Sequence, residues 1–379
     1  MSKSNETTPN VPTLRFAEYT DEWHKYALSD FVTRITRRNK NNESSLPLTI
    51  SAQYGLVDQI TFFNKTVASV DLSGYYLLYN GDFAYNKSYS NDYAWGAVKR
   101  LDKYEKGCLS SLYFVFRPTD KVDSDYLAHY FETNKWHKGI SDIAGEGARN
   151  HGLLNMAVDD YFATKHYLPS LSEQKKIACF LNLITKRIEI QNKIISDLKV
   201  LKKELCRKML SSITEYKTLC ELCSITTGKL DANANTPDGL YPFFTCGKDT
   251  LSIDNYAFDG EAILIAGNGD IGHTKYYCGK FNAYQRTYVL MNFKADAQFI
   301  KMGIDTYLPQ KISEETQGGA MPYIKLSTLT LLKIPFATEE KQLSIRNHYN
   351  AIVKKVENEM KILDLLLQQK SYFLNAMFI

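Results

Sequence analysis

The stretch Pro169-Ser-Leu-Ser-Glu-Gln-Lys-Lys-Ile177 opens a heptad pattern that decides the fold. From Ile177 onward, seam positions follow at alternating intervals of four and three residues: Ile177, Leu181, Ile184, Ile188, Gln191, Ile195, Leu198, Lys202, Leu205 and Met209. This alternation is typical of helices that pack as a coiled coil. The stretch therefore predicts a helix of roughly 40 residues, about 60 Å long at 1.5 Å per residue.

The same pattern recurs 168 residues later, after Pro335-Phe-Ala-Thr-Glu-Glu340. Its seam is apolar and polar at the same places: Ile345, Tyr349, Ile352, Val356, Glu359, Leu363, Leu366, Lys370, Phe373 and Met377. We interpret Ser172 and Thr338 as the two N-caps, with a two-residue insertion after Glu340. A lone amphipathic helix would expose its stripe, so we predict that the two pack as an antiparallel coiled coil. A stacked parallel arrangement, or pairing with another chain, stays open.

The repeat divides the chain into four segments. Residues 1–170 form a first globule, 171–212 a first helix, 213–336 a second globule and 337–379 a second helix. The globules match only at their openings, where Leu28 aligns with Leu219 and Phe31 with Leu222. Strand-like runs alternate with glycine and asparagine turns and with short helical stretches, which predicts an α+β fold for each globule. The sequence patterns of the two helices are closely similar, whereas the sequences of the two globules are barely similar.

Composition narrows the class of protein. The 379 residues suit two or three domains, and no apolar run approaches the ~18 residues of a membrane span. The polar start lacks the apolar segment of a secretory signal, and an odd count of seven cysteines is typical of free thiols. We expect a cytoplasmic protein without a membrane partner. The net charge of +4 does not by itself demand an anionic partner.

Motifs for catalysis or cofactors are not convincing. Gly267-Asn-Gly-Asp-Ile-Gly272 spells G-x-G-x-x-G, but the aromatic sequence after it has no helical period, so we interpret it as a glycine-rich turn. Cys220-Glu-Leu-Cys223 lacks a second ligand pair for zinc, so both thiols are expected to be buried. The adenine-methylation tetrapeptide and the ATP phosphate loop are both missing, and Asp159-Asp160 has no convincing nuclease partner. We predict no catalytic, cofactor-binding or metal-binding residues in this chain.

Basic and amide side chains near predicted turns are the candidate DNA contacts. Arginine and lysine suit phosphates or guanine, while asparagine and glutamine suit adenine. For any single residue, an ordinary solvated side chain is the competing interpretation. The candidates are Arg37, Arg38, Lys40, Lys87, Tyr89, Arg149, Asn150 and His151 in the first globule, and Lys248, Asn268, His273, Lys275, Gln285 and Arg286 in the second.

These residues together resemble the specificity subunit of type I restriction–modification systems. The resemblance covers nearly the whole chain and rests on Leu14-Arg-Phe with Asp21-Glu-Trp23, on Gly81-Asp-Phe-Ala-Tyr-Asn86 and 147–155, and on Gly260-Glu-Ala-Ile-Leu-Ile. Pro169 with Glu173-Gln174 and the heptad helix is the most specific element, and it recurs near Pro335. One departure is Glu340, which stands where a glutamine is usual; the start of the second helix is also less regular.

The resemblance implies that the globules are two target recognition domains, each reading one half of a split DNA site, with the helices as a spacer. It implies double-stranded DNA, two methyltransferase subunits and two restriction/translocase subunits as partners. S-adenosylmethionine, ATP and Mg²⁺ are expected on those partners, and no cofactor is expected in this chain. This chain would direct N6-adenine methylation and restriction without catalysing either. Two alternatives remain: a coiled-coil adaptor with two protein-binding globules, and a stand-alone modification enzyme with an unrecognised active site.

Overall fold

The computed structural model describes residues 10–65, 67–69, 71–90, 92–145, 152–315 and 323–379. The chain forms two compact units. Unit 1 runs up to Ile190 and also contains Leu363–Ile379, whereas unit 2 is Gln191–Ile362. Each unit holds one globule together with parts of both long helices.

The globule of unit 1 is built from short strands and short helices. In chain order these are β1 (His24–Ala27), α1 (Leu28–Phe31), β2 (Val32–Arg34), β3 (Leu48–Ser51), β4 (Gly55–Asp58), α2 (Gln59–Phe63), β5 (Tyr76–Tyr79), β6 (Phe83–Asn86), β7 (Ala97–Arg100), β8 (Lys106–Leu109), β9 (Phe114–Pro118), α3 (Ser124–Tyr130), α4 (His137–Ile143), α5 (Val158–Ala163) and β10 (Lys165–Leu168). The largest sheet has the order β2-β9-β6-β7 and is antiparallel throughout. The long helix α6 (Leu171–Ser211) follows.

The core of unit 1 is aromatic. Tyr85 and Tyr161 stack with their ring centroids 4.7 Å apart, and both are almost fully buried. His166 of β10 is also buried, with its ring nitrogens 2.8 Å from the hydroxyl oxygens of Tyr130 and Thr164. Burial disfavours the charged imidazolium and lowers the pKa of His166 to about 4. The histidine is therefore a neutral core residue near pH 7.

The globule of unit 2 is built around one strongly curved sheet. Its elements are β11 (Tyr216–Thr218), α7 (Leu219–Leu222), β12 (Ser224–Thr227), β13 (Tyr241–Phe244), β14 (Thr250–Ile253), β15 (Phe258–Ala266), β16 (Thr274–Ala283), β17 (Thr287–Met291), α8 (Ala297–Glu315), α9 (Leu326–Thr330) and β18 (Lys333–Pro335), followed by the long helix α10 (Glu339–Ala376). The sheet order is β12-β17-β15-β16-β13-β14.

Strand pairing explains the curvature. Phe281 of β16 pairs with Phe258 at the start of β15, whereas Thr287 of β17 pairs with Ala266 at its end. Since only residues 284–286 join β16 to β17, the sheet must curl to bring these ends together. Gly260 and Gly279 face each other in the hairpin with φ of 126° and 135°, which glycine adopts without a side-chain clash.

The two long helices contact each other in antiparallel fashion. In unit 1 the ring of Phe180 on α6 packs against Phe373 on α10, with centroids 4.9 Å apart. In unit 2, further along α6, the Lys202 ammonium lies over the ring of Tyr349, 5.7 Å from its centroid. Within unit 2, Gln191 contacts Glu359 and Lys202 contacts Tyr349, so residue numbers rise along α6 while those of the partners fall along α10. The predicted α+β fold, with two mixed α/β globules and two long helices in contact, is confirmed.

Every predicted seam position is buried or half-buried, and none is exposed. The central polar pair, Gln191 and Glu359, occupies the same place in the two repeats and meets within unit 2. The Gln191 Nε2 group donates to the Glu359 carboxylate at 2.7 Å and to its backbone oxygen at 2.9 Å. Hydrogen bonds from Lys355 and Gln191 lower the pKa of Glu359. A buried polar pair of this kind fixes helix register.

The polar seam lysines also have partners. Lys202 lies over the Tyr349 ring, and the Lys370 ammonium contacts the Glu132 carboxylate at 2.8 Å. Although burial opposes ionisation of Glu132, the His129 ring, with its Nδ1 atom 3.7 Å from the carboxylate, and the charge of Lys370 lower the pKa of Glu132 to about 2. Lys370 thereby attaches α10 to the globule of unit 1.

The starts of the helices correct the predicted caps. Because α6 begins at Leu171, Ser172 lies inside the helix, and its assignment as the N-cap was wrong. Ser170 stands there instead, and its Oγ accepts from the Glu173 N–H at 3.4 Å. Thr338 directly precedes α10, and its carbonyl oxygen accepts from the Gln342 N–H at 2.9 Å.

The predicted two-residue insertion after Glu340 was also wrong. Both helices begin at the same offset, since Leu171 and Glu339 are 168 residues apart. The insertion therefore lies before the second helix, and Ala337 takes the structural place of Pro169. Gln342 is the counterpart of Gln174, which removes the apparent departure at Glu340.

A repeated contact, here called the glutamine clasp, joins each globule to its long helix. In unit 1, Gln174 accepts from the backbone N–H of Asp123 at 2.8 Å and donates to the backbone oxygen five residues earlier at 3.0 Å. In unit 2, Gln342 accepts from the N–H of Asp296 at 3.0 Å and donates five residues back at 2.7 Å. The two glutamine side chains are 1% and 3% exposed. Both aspartates accept hydrogen bonds from the first turn of the following globule helix, α3 or α8.

Two asparagines reinforce the clasp about two turns further on. Asn182 donates to the Asp125 carboxylate at 2.8 Å, and Asn350, 168 residues later, donates to the Gln298 side chain at 3.0 Å. Each long helix thus holds the start of one globule helix through equivalent amide groups.

Candidate nucleic-acid interface

Loops that are distant in sequence meet at one end of the curved sheet of unit 2. This loop end comprises residues 228–231, 245–249, 267–275, 284–286 and 323–325. Backbone hydrogen bonds join the loops: Gln285 N–H to Leu230 at 2.8 Å, Gly267 N–H to Arg286 at 3.0 Å, Asp270 N–H to Cys246 at 3.2 Å, and Ile324 N–H to Gly267 at 2.9 Å. The loop end is therefore one connected surface.

The glycine-rich segment forms a tight turn between β15 and β16. Gly269 and Gly272 have φ of 62° and 75°, in the left-handed region that favours glycine. A Cβ on Gly267 would lie 2.5 Å from the backbone oxygen of Arg286, so this close approach requires glycine. The turn opens no helix, as a dinucleotide site would need, and the interpretation as a β-turn is confirmed.

All six candidate residues of the second globule lie on the loop end. Lys248, His273, Gln285 and Arg286 are exposed, whereas Asn268 and Lys275 are half-buried. The six side chains differ in whether neighbouring residues form hydrogen bonds with them.

Two of the six are engaged by neighbouring residues. The Gln285 Nε2 group donates to the Asp231 carboxylate at 2.8 Å. The Lys275 ammonium donates to the Asp249 backbone oxygen at 3.1 Å, and burial lowers its pKa. Asp270 adds a third acid to this surface, so the loop end is mixed in charge.

Tyr323 and Lys325 were not predicted from sequence, and they lie beside the glycine-rich turn between β15 and β16. They line a cleft of about 510 Å³ together with Gly267, Arg286 and Tyr288. No local motif marks them, because they reach the surface only through the Ile324 hydrogen bond to Gly267 and the Tyr288 hydroxyl, which donates to the Ile324 backbone oxygen at 2.8 Å.

In unit 1, the candidate arginines have structural partners. Arg37 contacts the fully buried Asp82 carboxylate at 3.0 Å and lies 4.2 Å from the centroid of the Tyr79 ring. Arg38 donates to the Gly74 backbone oxygen at 2.6 Å. Asp82 needs such partners, because a buried carboxylate without compensating charge is costly. Arg37 therefore stabilises the globule.

The other candidates of unit 1 are divided among separate places. Lys40 is exposed in the loop before β3. Lys87 and Tyr89 follow β6, where the Tyr89 N–H donates to Gly152 at 3.1 Å. Since Asp82 precedes this four-residue strand, Arg37 and Lys87 lie at opposite ends of about 13 Å of backbone. Arg149, Asn150 and His151 lie outside the described residues.

Nothing in the described ranges suggests a metal centre: no group of three or more histidine, cysteine or acidic side chains could hold an ion there. Cys223 is buried, and burial raises its pKa to about 12. Cys220 is exposed, so the prediction that both thiols are buried was wrong for that residue. Across the same ranges, the helices lack the combination of length and apolarity that crossing a membrane requires.

Comparison with known proteins relates the second half of the chain to a known domain family. Residues 213–368 match the model of the type I restriction modification DNA specificity domain. The specificity subunit of the type I restriction enzyme EcoDI from Escherichia coli is 37% identical over 164 residues, which are 43% of this chain and 36% of that relative. The matched region, residues 213–368, is thus similar to the DNA specificity domain of type I restriction–modification systems. The matching model describes a DNA specificity domain.

Solved structures from type I restriction–modification systems share the fold. The S subunit of a type I restriction–modification system from M. genitalium aligns with a TM-score of 0.56 at 18% identity, over 97% of this chain and 99% of its own. A chain from a study of complex assembly and conformational transition in the type I system aligns with a TM-score of 0.58 at 16% identity, over 93% of this chain and 96% of its own. Both similarities are similarities of fold.

Proposed function

We propose that this chain is the DNA specificity subunit of a type I restriction–modification complex and reads a bipartite site with a fixed gap. One observation carries the proposal: the long helices and their glutamine clasps repeat, while the globules between them differ in elements and sheet order. A protein that holds two different DNA-recognition domains needs both a repeated attachment and globules that differ. Equivalent attachment keeps both globules on a common framework, and different globules can recognise different half-sites.

The proposed partners are double-stranded DNA, two methyltransferase subunits and two restriction/translocase subunits. S-adenosylmethionine, ATP and Mg²⁺ then belong to those subunits, and N6-adenine methylation and cleavage occur on them. Exposed apolar side chains on the long helices support docking of a partner protein, among them Leu183 at 64% and Leu365 at 63% exposure. A complex that modifies and cleaves DNA works in the cytoplasm.

Methylome sequencing tests the proposal. The chain is co-expressed with the methyltransferase subunit encoded beside it, in a host without DNA methylation, and modified adenines are mapped. A split motif with a fixed gap, present only with this chain, is the expected result. Replacing residues 213–336 with the equivalent globule of a relative should then alter one half-site and leave the other unchanged. An unmodified genome would contradict the proposal.

Salt dependence separates DNA reading from the adaptor alternative. Binding of the assembled complex to DNA should weaken steeply as the salt concentration rises, because bound counterions are released when lysine and arginine meet phosphates. A chain that binds only proteins through its globules would give no retention of duplex DNA at any salt concentration.

A further inference from the structure

The turn between β16 and β17 holds Arg286 on a fixed backbone. The Tyr284 N–H donates to the Phe244 oxygen at 2.9 Å, and the Thr287 N–H donates back to Tyr284 at 2.8 Å. The Arg286 carbonyl oxygen accepts from the Gly267 N–H at 3.0 Å and from the Cys246 thiol at 3.3 Å. The backbone at Arg286 is thus tied to two other loops, which lowers the entropic cost of using its side chain for binding.

The Arg286 side chain itself is exposed and unengaged. Within the described part of the chain, its guanidinium has no hydrogen-bond or ion-pair partner, whereas neighbouring Gln285 is held by Asp231 at 2.8 Å. The described residues that line the adjoining cleft include Lys325 as a second cation and contain no acid. This arrangement differs from Arg37 in unit 1, whose charge is matched by the buried Asp82.

We propose that Arg286 reads a guanine in the half-site recognised by unit 2. A guanidinium offers two parallel N–H donors, which match the O6 and N7 acceptors of guanine in the major groove. A preorganised turn directs this fork at one base, and the absence of a carboxylate partner leaves both donors available. The inference rests on the proposed function and adds a specificity-determining residue to it.

The test compares the methylomes and DNA affinities of Arg286→Ala, Arg286→Lys and Lys280→Ala complexes with those of the unaltered complex. Lys280 is an exposed cation on β16 that lies over the Tyr256 ring, 4.6 Å from its centroid, away from the loop end. Each variant complex is purified with its methyltransferase, so that assembly is verified independently of recognition. Affinity is then measured on duplexes carrying each base at every position of the affected half-site.

Both Arg286 variants should lose discrimination at one guanine of one half-site, by about tenfold to a hundredfold, while the other half stays unchanged. Arg286→Lys should retain more affinity than Arg286→Ala, because it keeps the charge but not the fork. Lys280→Ala should keep the full motif. If the Arg286 variants weaken binding equally on all sequences, the residue contacts phosphate and the inference is wrong. If the unaltered complex itself produces no split motif, the proposed function fails instead.

Discussion

Replacing Gln342 with leucine should destabilise the attachment of the unit 2 globule to α10. The side chain is 3% exposed and makes the two hydrogen bonds of the clasp, at 3.0 Å to the Asp296 N–H and 2.7 Å to the Ala337 oxygen. Leucine is one bond shorter and cannot form hydrogen bonds, so the half-buried Asp296 N–H and the buried Ala337 oxygen both lose this partner.

The magnitude follows from those two groups. Each buried backbone group left unpaired costs about 1–3 kcal/mol, and the added apolar surface of leucine returns about 1 kcal/mol. We therefore expect a loss of about 1–5 kcal/mol in the free energy of unfolding of unit 2. A loss of about 2 kcal/mol corresponds to ~30-fold faster exchange for amides whose opening it governs.

Hydrogen exchange followed by mass spectrometry measures this directly. Peptides containing Asp296 and the start of α8 should exchange faster in the Gln342→Leu variant. Gln368→Leu is the matched control, because this glutamine lies on the same helix, is exposed and only contacts the nearby Asp364 side chain. If Gln342→Leu changes exchange and urea unfolding no more than Gln368→Leu does, the clasp does not stabilise the attachment and our reasoning is wrong.

Three further outcomes are expected. Unit 1 should lose stability as the pH falls from 6.5 towards 4, by roughly 3 kcal/mol in total, because unfolded His166 takes up a proton that the buried side chain resists. His166→Asn should flatten urea-unfolding free energies across that window, and an unchanged slope would assign the effect elsewhere. Lys370→Met should raise the pKa of Glu132 from about 2, as followed by NMR titration of the carboxyl carbon, while Lys355→Met should leave it unchanged. An equal response to both changes would contradict the Lys370 contact. Deleting one heptad from each long helix, Ile184–Ile190 and Met360–Leu366, should shorten the gap in the methylated motif by about three base pairs, since seven residues span about 10 Å of helix. A changed half-site sequence would contradict the spacer role.

The long helices could be predicted from sequence because their periodicity is local and repeated. A residue at a seam position contacts the partner helix regardless of the sequence of the globules. All twenty seam positions therefore predicted the same pair of packed helices. The first residue of each long helix was harder to predict from sequence. Matching Pro169 with Pro335 was reasonable from sequence, but the clasp depends on which backbone oxygen lies five residues before the glutamine, and that oxygen belongs to Ala337.

The candidate contacts show a different limit. Turn position and side-chain chemistry identified residues on the loop end of unit 2, because tight turns between strands end up at the edge of the sheet. In unit 1 the same reasoning could not distinguish Arg37 from a free cation. Its partner, Asp82, is 45 residues away and is recognisable only by its burial. Lys325 was missed for the converse reason, since it has no local signature and reaches the cleft through contacts made by other residues.

Each globule begins and ends on paired strands: β1 lies beside β10, and β11 lies beside β18. The chain therefore enters and leaves a globule at the same place, immediately before a long helix. A globule of this kind behaves as a closed cassette within the gene. Its length and its surface can change by in-frame insertion, deletion or substitution while the chain still arrives at the same helix start. A change within one cassette can then leave the joint that holds it unaltered.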